Sequence, residues 1–414
     1  MKKLVALMVA AVMLIALCAT ASAATTVTIW HTFTNAQDEA LNTFAAEFNA
    51  MQDEYEVVLV NRARDNFESD TYLAVANGQG PNIIFNYAST AAEYVKDGLV
   101  VDLSKYIFDE EIGMQDVYES LKDSIKAEGT GFEDGGMYAI AAVTTGPVLF
   151  INKTLFDEYG IEIPTTWEEI GELSKVVYEK SGGRTAGFAV DSKADTLHAL
   201  FMQSGSEYID TEAKEVRFGT EANIKWLDWY AEHVQNGDFT HVAQSGYFSN
   251  DFNAGLVACY LGSCAGEDYI IPDGFEYITA PMPNTIDVSW YPAWNRGPII
   301  FNKDEDSNRG AYLFVKYFLT PEVNTRWCEA MVAMSPYGTT TSSEAYADYA
   351  TRMLGSLSAV EANLDYAGFL PTVTGSQIVR QEIQNALDNV AGGGMTGEEA
   401  MALCVELCNA ALQE

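Results

Sequence analysis

Histidine is scarce in this sequence, which contains only His31, His198, His233 and His241 among 414 residues. No two of them have the spacing of a metal-binding pair on one face of a helix. The sequence also lacks a P-loop, the glycine-rich fingerprint of dinucleotide-binding proteins and the nucleophile elbow of α/β-hydrolases. We therefore predict no metal site, no cofactor and no catalytic residue.

Basic residues are few as well. Lys and Arg total 23 against 59 Asp and Glu, which gives a formal net charge of −36. A surface this acidic repels nucleic acid and anionic lipid, so we predict no nucleic-acid partner. The acids are spread along the chain and 48% of the residues are hydrophobic, which predicts a packed fold rather than a disordered acidic tail.

Long apolar runs are absent except at the start of the chain. Lys2 and Lys3 precede an apolar run at residues 4–17, and the small residues Ala21 and Ala23 flank a cleavage site. The run is shorter than the about 20 residues that span a bilayer. The pattern predicts a signal peptide over residues 1–23 and export to the periplasm or the exterior, with no lasting membrane span. Cleavage of this segment would remove two lysines and no acidic residue, so the formal net charge would become 21 − 59 = −38.

Cysteine usage leaves three questions open. Lipidation at Cys18 would need a small residue directly before the cysteine, but Leu17 stands there, which favours a freely diffusing protein. A membrane-associated form, lipidated at Cys18, is the alternative. Cys259 and Cys264 are close enough in sequence to form a disulfide in an oxidising compartment. Cys404 and Cys408 lie on one apolar helical stripe, which predicts burial rather than metal binding.

Strand and helix patterns alternate along the chain. Residues 26–33 alternate as a strand does, and residues 36–49 carry an amphipathic helical pattern. The alternation restarts after Gly146 with strands over 148–152, 186–190 and 257–261, the last of them buried. Such alternation predicts parallel α/β sheets. Two α/β units in one chain predict two lobes with a ligand cleft between them. Thr166 with Glu169, and Thr396 with Glu399, predict capping boxes at two helix starts.

Aromatic residues make up 12% of the chain. Some stand in polar surroundings, at Tyr247-Phe248 and in the segment 290–297, which contains Trp294. An aromatic face suits the apolar face of a sugar ring, while neighbouring polar groups bind its hydroxyls. Core packing is the alternative explanation for each of these side chains.

Short motifs follow one another in an order that resembles a single family. Ile151-Asn152-Lys153 is followed by Pro164-Thr165-Thr166-Trp167 and an acidic helix. Ile29-Trp30-His31, residues 76–82, Gly237-Asp238-Phe239, Phe252-Asn253-Ala254-Gly255 and residues 397–400 agree in order. Together they resemble the family 1 extracellular solute-binding proteins of ABC importers, over nearly all of the chain after residue 23. Within that family the resemblance is closest to carbohydrate-binding and glycerol-3-phosphate-binding members.

The resemblance implies an α/β, two-lobed periplasmic-binding-protein fold of type II, with the ligand cleft between lobes joined by crossing strands. The N-terminal lobe would comprise residues 24–141 and 282–340, and the C-terminal lobe residues 142–281 and 341–414. Crossings are expected near residues 141–145, 281–283 and 339–343.

The resemblance, with the aromatic cluster, also implies a set of ligand-binding residues: Trp30, His31, Phe67, Tyr87, Thr144, Thr145, Ser263, Trp294, Asn295, Arg296 and Gly297. We expect Trp294 and Phe67 to stack on the ligand. Phe67 lacks the hydroxyl of the matching tyrosine in the glycerol-3-phosphate-binding relative, and Arg380 is offset from that relative's C-terminal arginine. Phosphate recognition needs fixed basic donors, so these departures favour a neutral sugar.

The implied function is the substrate-binding component of an ABC importer, a monomer that captures a carbohydrate by hinge closure and delivers it to a membrane permease. Such a protein binds and does not catalyse. Arg296 keeps open an anionic small ligand such as glycerol 3-phosphate. A secreted glycoside hydrolase is the third alternative, because sequence spacing cannot reveal two distant catalytic carboxylates.

Overall fold

The computed structural model describes residues 24–243, 247–285, 287–352 and 355–413. The predicted signal peptide and Cys18 lie outside the described residues. The strands are β1 (Thr25–His31), β2 (Tyr55–Asn61), β3 (Ile83–Asn86), β4 (Val143–Thr145), β5 (Pro147–Asn152), β6 (Ala186–Val190), β7 (Ile209–Asp210), β8 (Glu215–Val216), β9 (Phe239–Thr240), β10 (Val257–Ser263), β11 (Tyr277–Pro281), β12 (Tyr291–Pro292), β13 (Trp294–Ile300) and β14 (Ala367–Gly368).

Helices cover these strands. They are α1 (Asn35–Met51), α2 (Phe67–Ala76), α3 (Ala88–Val95), α4 (Ser104–Ile107), α5 (Gln115–Glu119), α6 (Asp123–Thr130), α7 (Lys153–Tyr159), α8 (Trp167–Ser181), α9 (Lys193–Gln203), α10 (Glu221–Asn236), α11 (Phe248–Asn253), α12 (Glu305–Phe318), α13 (Pro321–Met331), α14 (Gly338–Thr341), α15 (Glu344–Ala350), α16 (Gly355–Glu361), α17 (Ser376–Ala391) and α18 (Gly397–Gln413). Within the described ranges, no helix combines the length and apolar character that crossing a membrane requires.

One five-stranded sheet has the order β2-β1-β3-β13-β4. β1 runs parallel to β2 and β3, whereas β13 runs antiparallel to β3 and β4. Phe33 and Phe85 pack with their ring centroids 5.6 Å apart, and Trp327 of α13 lies 4.9 Å from Phe33. This aromatic cluster joins the sheet to the helices that follow β13.

A second five-stranded sheet has the order β11-β5-β10-β6-β9. β6 runs parallel to β10 and β9, but β5 runs antiparallel to β10 and β11. The predicted α/β fold is confirmed, but the predicted parallel pairing holds only for β1 with β2 and β3 and for β6 with β9 and β10, so both sheets are mixed. An alternating pattern of strands and helices predicts parallel pairing only for strands that a helical crossover connects. β5 and β13 are not connected to their neighbours in the sheet in this way, so their direction does not follow from the pattern.

The chain passes from the first sheet to the second at Gly146, between β4 and β5. A Cβ atom at Gly146 would lie 2.1 Å from the Tyr291 hydroxyl, so glycine leaves room for the Tyr291 side chain at this point. The chain returns between β11 and β13. Residues 339–343, where the resemblance implies a third crossing strand, instead contain the end of helix α14 and the turn after it.

Local signals account for several helix ends. Thr166 and Glu169 form the predicted capping box at the start of α8, with both reciprocal hydrogen bonds present. Thr396 and Glu399 do the same before α18, where the Thr396 hydroxyl accepts the Glu399 N–H at 3.2 Å. Both predictions are confirmed.

The cysteines within the described residues are buried thiols. Cys259 and Cys264 are both free and contact different backbone carbonyls, those of Gly187 and Val332, so the suggested disulfide is not formed. Cys404 and Cys408 are buried on α18 with their sulfur atoms 3.8 Å apart. The predicted core position of this pair is confirmed.

Candidate ligand-binding cleft

A large cavity of about 1630 Å³ opens between the two five-stranded sheets. It exceeds the roughly 300–1,000 Å³ of a typical small-molecule pocket. Its walls come from loops at the carboxyl ends of strands: residues 32–37 follow β1, residues 61–65 end and follow β2, Tyr87 follows β3 and residues 191–192 follow β6. Open α/β sheets bind ligands outside the carboxyl ends of their strands, which makes this cavity the candidate site.

Six aromatic side chains line the cavity: Phe33, Tyr87, Tyr247, Tyr260, Tyr269 and Trp294. Tyr260 is anchored by stacking on Phe150 at a centroid distance of 5.0 Å. Tyr247 is 45% exposed, and the Arg64 guanidinium lies over its ring at 5.4 Å. The aromatic surface therefore combines a fixed ring from the second sheet with exposed rings near the opening.

Asp191 is a carboxylate on the second-sheet wall whose pKa is raised. It follows β6 and accepts the Phe248 N–H at 2.8 Å. Burial raises its pKa to about 6, although that hydrogen bond opposes the shift. A Cβ atom at Gly262 would lie 2.8 Å from the Asp191 carboxylate, so glycine leaves room for the carboxylate beside Tyr260. Asp191 is therefore placed to accept hydrogen bonds from a hydroxyl-rich ligand.

Arg380 and Asp195 form a neutral pair in the same cavity. Two nitrogen atoms of the Arg380 guanidinium bind the two oxygens of the Asp195 carboxylate, with Nη2–Oδ2 at 3.0 Å. Asp195 lies at the start of α9, where the Ser192 side chain accepts its N–H. Because both charges are satisfied within the protein, Arg380 is not available as an unpaired anion receptor.

Arg296 is held differently. It lies on β13, its Nε donates to the Phe85 carbonyl at 3.2 Å, and its guanidinium carbon lies 4.5 Å from the Phe33 ring centroid. Burial lowers its pKa, and the nearby charge of Arg64 acts in the same direction. Among the described residues no carboxylate lies within 4.0 Å of it.

The structure brings five of the eleven predicted ligand residues to the cavity wall: Tyr87, Thr145, Ser263, Trp294 and Arg296. Successive side chains of a strand point to opposite faces of the sheet, so the residues next to these five in sequence do not all reach the cavity. On β13, Trp294 and Arg296 face the cavity, while Asn295 pairs with Thr144 on the opposite face through a 2.8 Å hydrogen bond. Asn295 in turn donates to the buried Glu128 at 2.6 Å.

The remaining predicted residues lie outside the cavity lining. His31 is 2% exposed with its Nε2 atom 3.7 Å from Asp38, and Phe67 packs in a core cluster with Ile84 and Tyr94. Trp30 stacks against the Arg62 guanidinium at 3.9 Å. A Cβ atom at Gly297 would lie 1.9 Å from the Ile140 carbonyl oxygen, so that glycine serves close backbone packing.

Sequence reasoning missed several lining residues, among them Arg64, Glu68, Asp191, Tyr260 and Tyr269. Asp191 directly follows a strand that the sequence predicts over residues 186–190, so the strand-end rule was a usable signal for it. Tyr260 lies inside a predicted buried strand, and nothing in its local sequence distinguishes it from a core residue. Within the described ranges no group of three or more His, Cys, Asp or Glu residues is arranged to hold a metal ion.

Comparison with known proteins identifies the family. Residues 43–353 match the family model described as bacterial extracellular solute-binding protein. The chain belongs to this family of extracellular solute-binding proteins. Solute-binding proteins bind their ligands rather than transform them, so membership favours a binding function over the hydrolase alternative.

Individual solute-binding proteins resemble this one at low identity. The sn-glycerol-3-phosphate-binding periplasmic protein UgpB of Yersinia pseudotuberculosis is 21% identical over 336 residues, which are 75% of this chain and 73% of that protein. The GacH receptor of Streptomyces glaucescens, solved unliganded and with acarbose, has a TM-score of 0.80 at 19% identity and covers 94% of this chain and 99% of its own. Lmo0181 of Listeria monocytogenes, in complex with cycloalternan, has a TM-score of 0.80 at 17% identity with the same coverage. These structural likenesses establish the two-domain solute-binding-protein fold.

Proposed function

We propose that this solute-binding protein is the substrate-binding component of an ABC importer and captures a carbohydrate in the cleft between its two sheets. The observation that carries the proposal is the cavity lining, which combines six aromatic rings with carboxylates and hydroxyls. Aromatic faces match the apolar faces of sugar rings, and the carboxylates accept hydrogen bonds from sugar hydroxyls. The volume of about 1630 Å³ suits a ligand of more than one sugar ring.

Ligand capture would proceed by closure of two lobes, one built on the first five-stranded sheet and the other on the second. Trp294 and Arg296 come from the first sheet, and Tyr260 and Asp191 come from or follow strands of the second. A ligand that contacts both walls stabilises the closed form over the open one. A membrane permease would then receive the ligand from the closed monomer.

The relatives support both the ligand class and the location. GacH with acarbose and Lmo0181 with cycloalternan are carbohydrate complexes on the same fold. UgpB is periplasmic, and we extend that location to this protein through the predicted signal peptide. Cleavage after Ala23 without lipid at Cys18 would release the protein into the periplasm or the exterior.

Calorimetry against a panel of mono- and oligosaccharides tests the proposal. We expect at least one sugar to bind, and Trp294→Ala to weaken that binding by roughly tenfold or more, about 1.4 kcal/mol. Trp226→Ala is the matched control, because Trp226 packs on Trp229 of α10 and does not line the cavity. Small-angle X-ray scattering should show a smaller radius of gyration in the sugar complex. Failure of every sugar to bind, with glycerol 3-phosphate binding instead, would reject the carbohydrate assignment.

A further inference from the structure

Arg296 is a charged group in the cleft without a counter-charge at contact distance. Its Nε donates a hydrogen bond to the Phe85 carbonyl, and one face of its guanidinium packs against the Phe33 ring. Its terminal nitrogen atoms, on the cavity-facing side of β13, make no hydrogen bond to any described residue. The guanidinium is therefore fixed in place by its neighbours while its outer edge stays open to the cleft.

Three other arginines line the cavity, and of these Arg380 has a carboxylate partner while Arg62 and Arg64, like Arg296, lie over aromatic rings. Arg380 is neutralised by Asp195 through two hydrogen bonds. Arg62 and Arg64 lie over the rings of Trp30 and Tyr247. Arg296 differs from Arg62 and Arg64 because a strand position, the Phe85 carbonyl and the Phe33 ring together hold its guanidinium in place.

The charged and titratable groups around Arg296 do not satisfy it. The negative charge of Glu68 on α2 acts on Arg296, but the Asn86 amide donates to Glu68 at 3.1 Å and the two side chains form no ion pair. Arg64, after β2, adds a second positive charge on the same side of the cleft. Two like charges near one cavity repel each other unless an anion lies between them.

We propose that the carbohydrate captured here bears an anionic group, a carboxylate or a phosphate, which binds the outer edge of the Arg296 guanidinium. This inference rests on the proposed function and adds the charge of the ligand to it. The guanidinium geometry matches two oxygens of either group. Arg64 closes over the same group from the rim, while Trp294 and Tyr260 contact the sugar ring.

Calorimetry with matched ligand pairs tests the inference: galacturonate against galactose, glucose 6-phosphate against glucose, and the disaccharides of galacturonate against those of galactose. We expect the acidic member of at least one pair to bind at least tenfold more tightly than its neutral partner. The affinity for it should fall as NaCl rises, because the cleft contact is partly exposed. The carboxylate and phosphate arms distinguish the two sources of the anion.

Two variants assign the preference to Arg296. Arg296→Gln should lower affinity for the acidic ligand at least tenfold and reduce the discrimination between the pair members. Arg296→Lys keeps the charge and should retain part of the preference, which separates lost charge from a misfolded variant. Arg352→Gln is the control, because Arg352 forms an exposed surface ion pair with Asp348 at 3.0 Å and should leave binding unchanged.

The outcomes are distinguishable from those of the proposed function. Neutral sugars that bind as tightly as their acidic partners, or a preference that survives Arg296→Gln, would overturn the inference and leave carbohydrate capture standing. Binding of glycerol 3-phosphate but of no sugar would overturn carbohydrate capture and support an anion site at Arg296. Binding of none of these ligands would overturn both.

Discussion

Glu128 shows how the surroundings of one residue set a pH response. The residue is 5% exposed, and burial raises the pKa of its carboxyl to about 8 although the hydrogen bond from Asn295 opposes the shift. The ordinary value is 4.5. Between pH 4.5 and about pH 8, the Glu128 carboxyl is protonated in the folded chain and ionised in the unfolded chain. The free energy of unfolding therefore falls as pH rises through this window, by up to about 1.4 kcal/mol per pH unit.

We expect Glu128→Gln to remove most of this decline. The glutamine oxygen still accepts the Asn295 amide, and the side chain cannot ionise. Urea denaturation at pH 5 and pH 8 should show that the variant loses less stability between these values than the parent, by about 2 to 4 kcal/mol. Glu172→Gln, at an exposed position of α8, is the control. Equal losses in parent and Glu128→Gln would contradict a buried, protonated carboxyl.

Single residues also explain why the site was predicted only in part. The resemblance matched positions along the chain, but strand geometry decides which side chains reach the cleft. Arg296 and Trp294 point into the cavity, whereas the intervening Asn295 binds Thr144 on the other face. A resemblance over consecutive residues does not show which of their side chains face the cleft, because that depends on which face of the strand borders the cavity.

At the scale of elements, local signals predicted most of what is local. The helix at residues 36–49 is observed as α1 (Asn35–Met51), and the strand at residues 186–190 has the predicted bounds. Strand direction was predicted correctly only in part, because the antiparallel pairing of β13 with β3 joins segments far apart in sequence. Such pairings depend on how the whole chain returns to a sheet, which no local pattern encodes.

The capping box of α8 offers a test at this scale. The Thr166 hydroxyl accepts the Glu169 N–H at 3.2 Å, and the Glu169 carboxylate accepts the Thr166 N–H at 3.1 Å. We expect Thr166→Ala to lower the free energy of unfolding by about 1 kcal/mol, because it leaves helix N–H groups without partners. Thr43→Ala is the control, since Thr43 is exposed inside α1 and alanine is the better helix former there. Equal effects in both variants would contradict a specific cap.

At the scale of the whole molecule, the excess of acids is the dominant electrostatic feature. The formal charge is −36, and it becomes −38 (21 − 59) once residues 1–23 are removed. Surface ion pairs such as Lys225–Glu221, at 2.8 Å and highly exposed, contribute little to stability. Repulsion among the unpaired acids should therefore outweigh attraction between surface pairs when salt is low.

We expect the melting temperature to rise as NaCl increases from 10 mM to 500 mM. The screening length shortens from about 30 Å at 0.01 M to about 10 Å at 0.1 M. Added salt therefore weakens the repulsion between acids far apart on the surface before it weakens the attraction within close ion pairs. A variant with three exposed acids neutralised, Glu110→Gln, Glu212→Gln and Glu232→Gln, should melt higher at 10 mM NaCl and rise less steeply. KCl in place of NaCl should reproduce the rise if screening rather than specific cation binding causes it. A melting temperature that falls with salt would show that attractive pairs, and not repulsion, control the stability of this acidic protein.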